Sequence, residues 1–104
     1  MHGAGGVNRT VQICGSENTM RPTGKATSKR LRQLLEYQEY MCSLTGVELE
    51  PETTEADHIV PRSLGGLNTI ENIQLVTKQA NRAKGTMPND EFIELCRQVA
   101  AWNE

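Results

Sequence analysis

Apolar positions along the chain change their spacing several times, and each change marks an element. Leu31, Leu34 and Leu35, with Gln38 beyond them, share one helical face, which predicts a helix starting around Thr27 or Ser28 with Ser28 as a suitable N-cap. Val47 and Leu49 then alternate with acids up to Pro51. A strand is predicted over Thr53 to Val60, and Pro61 stops it from continuing as a central strand. Gly65-Gly66 opens a loop, because paired glycines tolerate positive φ. Ile73, Leu75 and Val76 form a second short strand or extended run. Thr77 begins a helix through Gln79, Ala80, Asn81 and Ala83, and Gly85 is its C-cap candidate. In a last helix, capped by Thr86 or Asn89, Phe92, Leu95, Cys96 and Val99 recur at helical spacing. The expected core is Leu31, Leu34, Phe92, Leu95, Val99 and Trp102. The order is helix, two short strands, helix, helix, which makes the chain α+β with no internal repeat.

The beginning behaves differently. Residues 1–26 are rich in Gly, Ser, Thr and Asn and show no sustained periodicity. They read as a flexible arm with a short strand at Val11-Gln12-Ile13-Cys14, followed by one domain over residues 27–104. The chain's 104 residues suffice for one small domain, and 37% hydrophobic content gives a thin but adequate core. No run of apolar residues is long enough to span a membrane, and the start lacks the charged and apolar regions of a secretory signal. Three widely spaced cysteines argue against a disulfide framework and for a reducing, cytoplasmic setting.

Formal charge is −2, which excludes a uniformly basic coat protein for nucleic acid. Its distribution is uneven. Lys25, Lys29, Arg30 and Arg32 are followed by seven acids between Glu36 and Asp57 with no base among them. Arg62, Lys78, Arg82 and Lys84 then outweigh Glu71. These basic stretches fit either solvated faces or contacts to phosphate.

Four ordered units lie between them. They are Asp57-His58-Ile59-Val60-Pro61, the Gly65-Gly66 loop, Asn72-Ile73-Gln74-Leu75, and Asn81 followed by Lys84 on the predicted helix. His58 is the only histidine apart from His2, and imidazole suits deprotonation of water near neutrality. Carboxylate and amide oxygens, as on Asp57 and Asn81, are the donors preferred by hard cations. In this order and spacing the units resemble the HNH endonuclease family, whose ββα-metal core is two short strands crossed by a helix. The resemblance runs from about Leu35 to Phe92. It implies His58 as general base, Asp57 and Asn81 as ligands of one divalent ion, and Asn72 as the residue fixing the loop that orients His58. Arg62, Lys78, Arg82 and Lys84 are the expected DNA contacts.

Two departures from the family pattern matter. Many members hold a structural zinc on two Cys-x-x-Cys pairs, whereas the equivalent positions here are Cys42, Thr45, Thr77 and Ala80. No structural zinc is therefore expected, and Cys42 reads as a small buried hydrophobe. Asn81 stands where the family name has its final His, so the signature is His-Asn-Asn and the expected ion is Mg²⁺ or Mn²⁺. The resulting expectation is a monomeric, metal-dependent DNA endonuclease that nicks one strand per event, without a small-molecule cofactor. The alternative is a nuclease module of a phage packaging, restriction or mobile-intron system whose specificity comes from a partner.

Overall fold

A computed structural model of the chain describes residues 20–104. Helix α1 spans Ser28–Tyr37. Its cap is Thr27 rather than Ser28: the Thr27 hydroxyl accepts from the Arg30 amide at 3.2 Å. Leu34 and Leu35 are buried and Leu31 is half-buried. Gln38, on the same face, works as a polar clip. Its Nε2 donates to the Leu75 carbonyl and its Oε1 accepts from the Leu75 amide, both at 2.9 Å. The next two residues, Glu39 and Tyr40, are left-handed (φ 55° and 62°) and turn the chain into a tight knuckle. Within it Cys42 N donates to Val47 O at 2.7 Å, and Leu49 N to Tyr40 O at 2.6 Å.

Strand β1, Thr54–His58, pairs antiparallel with β2, Ile73–Thr77, in a register that sets Asp57 opposite Gln74 and His58 opposite Ile73. β1 is shorter than the apolar pattern predicts. Pro51–Thr53 form a 3₁₀ turn before it, and Ile59 and Val60 leave the ladder ahead of Pro61. Ile73, Gln74, Leu75 and Val76 are all buried. β2 is thus the centre of a core that also holds Leu34, Leu35, Cys42, Leu49, Ile70 and Ala80.

Helix α2, Lys78–Lys84, follows β2 directly. Thr77 caps it, its hydroxyl accepting from the Ala80 amide at 3.1 Å, and Gly85 ends it at φ 58°. Helix α3 spans Asn89–Trp102, and Phe92 is its one buried residue. Here the expected core is corrected. Leu95 and Val99 are exposed, and Trp102 is 88% exposed. Phe92, Ile93, Cys96 and Ala100 instead face Leu44, Val47, Ala80 and Ala83 across an apolar cleft. The two faces carry the same 3-and-4 spacing, so periodicity does not choose between them.

The expected arm runs to residue 26, but its described end is fastened to the domain. Lys25 forms an isolated antiparallel bridge with Thr69, and Ile70 N donates to Gly24 O at 2.7 Å. Arg21 Nη2 donates to the carbonyls of Ile73, Glu71 and Ile70 at 3.0, 3.3 and 3.4 Å. The carboxylate of Glu71 receives the Gly24 amide. Its own backbone N–H and that of Gly24 hold its pKa below the usual carboxylate value. The expected strand at Val11–Cys14 lies outside the described residues.

Candidate active site

His58 is the last residue of β1, where the chain turns away from the ladder. Strict alternation along a strand sends neighbouring side chains to opposite faces. The turn at this end relaxes that rule, and Asp57, His58 and Asn81 line one cleft of about 290 Å³, with Arg62 and Ser63 also in its wall. His58 is half-buried, and its Nε2 lies 2.9 Å from Asn68 Oδ1.

Asp57 is 6% exposed. Its Oδ2 is taken twice, by Gln74 Nε2 at 2.9 Å and by Lys84 Nζ at 2.9 Å. Its Oδ1 has no hydrogen-bond partner among the described residues. Asn81 is held from the other side, since its Nδ2 donates to Glu55 Oε1 at 2.7 Å. A carboxylate only accepts, so Glu55 fixes the nitrogen end of that amide and leaves Asn81 Oδ1 as the open acceptor. The cleft thus presents one carboxylate oxygen, one amide oxygen and one imidazole.

Asn72 closes the loop between the strands. Its Oδ1 accepts from Val60 N at 2.9 Å, while its Nδ2 donates to Val60 O at 3.0 Å and Leu67 O at 2.8 Å. Gly66 packs against this clamp. A Cβ there would run into the Val60 carbonyl and sit 2.9 Å from Asn72 Nδ2. Gly65, at φ 91°, ends the 3₁₀ turn Arg62–Leu64 in the left-handed region.

Residues 40–86 match the family model described as HNH endonuclease, a span that takes in the knuckle, both strands and α2. Over this segment the chain is similar to the HNH endonucleases. The class hydrolyses phosphodiester bonds. A crystal structure of a type II restriction endonuclease shares the fold, with a TM-score of 0.51 and 22% identity over 72% of this chain. The chain spans 39% of that structure's length. No curated protein matches the sequence.

The α+β class and the ββα arrangement of the HNH core are as the sequence predicts. Asp57, His58 and Asn81 are brought to one cleft. Of the expected DNA contacts, Arg62 lies at that cleft and is exposed, and Lys78 and Arg82 are exposed on α2. Lys84 is a correction. It is 1% exposed, and its ammonium is spent on Asp57 Oδ2 and, at 2.9 Å, on the His58 carbonyl. One turn from Asn81, it points beneath the site rather than out of it.

A polar layer under the HNH cleft escaped the sequence reading. Gln74 joins Asp57 to Asn89 (2.8 Å) and Ser43 (3.0 Å). Buried polar groups persist where each finds a partner, and no buried side-chain N or O among the described residues lacks one. Glu55 and Asn68 carried no signal of their own, while Gln74 entered only as a letter of the Asn72–Leu75 unit and Asn89 only as a cap candidate. Cys42, fully buried in the knuckle, accepts from the amides of Thr45 and Thr77 at 3.4 Å each. Burial pushes its thiol up, but hydrogen bonds from Thr45 and Thr77 outweigh this and hold it below the ordinary value.

Proposed function

We propose that the domain is a metal-dependent DNA endonuclease in which His58 removes a proton from the attacking water. The observation that carries this reading is the convergence of His58, Asp57 and Asn81 on one cleft. Asp57 Oδ1 and Asn81 Oδ1, the two open acceptors, fit a hard divalent ion that takes its other positions from water and phosphate, as Mg²⁺ and Mn²⁺ do. Zinc prefers nitrogen and sulfur donors, and the one imidazole of the cleft, His58, is engaged as the base. Among the described residues no group of three His, Cys, Asp or Glu side chains converges, so metal affinity in the absence of DNA should be weak. When bound, the ion supplies charge stabilisation at the scissile phosphate and the departing 3′ oxygen. His58 meanwhile accepts the water proton, Glu55 keeps the Asn81 oxygen turned inward, and Lys84 with Gln74 holds Asp57 to a single open oxygen. Arg62 at the rim, with Lys78 and Arg82 on the outer face of α2, contacts the DNA backbone.

One cleft acts on one strand, so a monomer nicks. Sequence preference then comes from outside this domain, as in a restriction, packaging or intron-mobility system. Supercoiled plasmid tests the reading. Nicked circles should accumulate before linear product, vanish with chelator, and return with Mn²⁺ or Mg²⁺. Cleavage that survives exhaustive chelation, or is fastest with Zn²⁺, overturns the ligand assignment.

A further inference from the structure

We infer that Asn68 is a positioning residue that sets the tautomer of His58, so that Nδ1 is the atom that takes the water proton. The inference rests on His58 acting as the base. Asn68 Oδ1 lies 2.9 Å from His58 Nε2. An amide oxygen only accepts, so the contact requires the proton on Nε2 and leaves the ring's lone pair on Nδ1. The placement is built rather than accidental. Asn72 grips the carbonyl of Leu67, the residue just before Asn68, at 2.8 Å. Separately, Lys84 Nζ holds the His58 carbonyl at 2.9 Å. Backbone and ring are therefore fixed by separate partners.

Asn68 itself is exposed and makes no other side-chain hydrogen bond among the described residues. Losing its side chain should therefore leave the fold alone. That separates it from Asn72, whose three bonds hold the loop together.

The test compares Asn68→Leu, of similar volume without an acceptor, with Asn68→Asp, whose carboxylate only accepts. In the plasmid assay with Mn²⁺, Asn68→Leu should lower kcat about tenfold with KM unchanged, the scale of one lost neutral hydrogen bond. Asn68→Asp should recover most of that kcat. A second readout needs neither DNA nor metal. Long-range ¹⁵N–¹H NMR of the metal-free protein at alkaline pH should show His58 as the Nε2–H form. Asn68→Leu should convert it to a mixture of both tautomers. With only two histidines in the chain, His58→Ala assigns the signals. An Nδ1–H ring in the unmutated protein overturns the proposal. So does full kcat in Asn68→Leu, or a loss confined to KM. If no variant and no wild-type preparation cleaves, the nuclease reading fails, while the NMR result still decides the tautomer.

Discussion

Lys84→Met tests whether the ammonium under the cleft belongs to the fold or to DNA. Lys84 is 1% exposed and Asp57 6%, with 2.9 Å between Nζ and Oδ2. Methionine keeps most of the buried stem but leaves the Asp57 carboxylate with the Gln74 amide as its one hydrogen-bond donor. Removing one partner of a buried pair costs about 3–5 kcal/mol. The expected loss is therefore about 3 kcal/mol. Asp57→Asn, which strands the ammonium instead, should cost a similar amount. The double variant buries no charge, so its loss should fall short of the sum of the singles by at least about 2 kcal/mol. Urea unfolding followed by circular dichroism, with chelator present, measures all three at unchanged m-value. A small domain has about 5–15 kcal/mol in hand, and the double variant still reports if a single one does not fold. Additive losses, or a Lys84→Met cost below about 1 kcal/mol, refute the buried pair and return Lys84 to the surface as a candidate phosphate contact.

Three further outcomes are expected. His58→Ala should slow cleavage by about a hundredfold or more while leaving the circular dichroism spectrum intact, because its one side-chain hydrogen bond among the described residues is the contact to Asn68; near-normal turnover removes His58 as the base. Gly66→Ala should depress cleavage through the displaced Val60 carbonyl and the Asn72 clamp, and a variant with unchanged rate would mean that the loop path is irrelevant to His58. Glu71, whose folded pKa is lowered by its own amide and that of Gly24, adds stability above the unfolded carboxylate value near 4.3. That contribution disappears as pH falls through the lower folded value. Hydrogen-exchange protection of the Gly24 amide should weaken in acid, and in Glu71→Gln already at neutral pH; equal protection in Glu71→Gln would contradict the bond.

The strands, α2 and their caps were legible because each has a local cause. Thr77 and Gly85 bracket α2 through a hydroxyl acceptor and a left-handed exit, and both are residue-type effects visible without tertiary context. The inward face of α3 was not legible. Leu95 and Val99 on one side, and Cys96 and Ala100 on the other, satisfy the same period. What selects between them is the apolar lining offered by Ala80 and Ala83 on α2, and one segment's pattern holds no information about another's. The anchoring of residues 21–25 was not legible for a related reason. Arg21 and Gly24 find their partners near positions 70–73, and a short polar segment has no periodicity with which to announce such a contact.

Within the site, the residues that the family pattern assigns to chemistry are those with atoms left open, while the residues that hold them are spent on protein. Asp57 keeps Oδ1 because Gln74 and Lys84 occupy Oδ2. Asn81 keeps its oxygen because Glu55 occupies its nitrogen. His58 keeps one ring nitrogen because Asn68 occupies the other. Lys84 shows how composition misleads at this level. A lysine one helical turn from a metal-ligand candidate reads as a phosphate contact when counted as charge. Once β1 supplies a buried carboxylate, the same side chain is worth more beneath the site, where desolvation makes an unpaired charge costly. The division between open and spent atoms depends on which strand lies beside which helix, so it becomes readable only after β1, β2 and α2 are assembled.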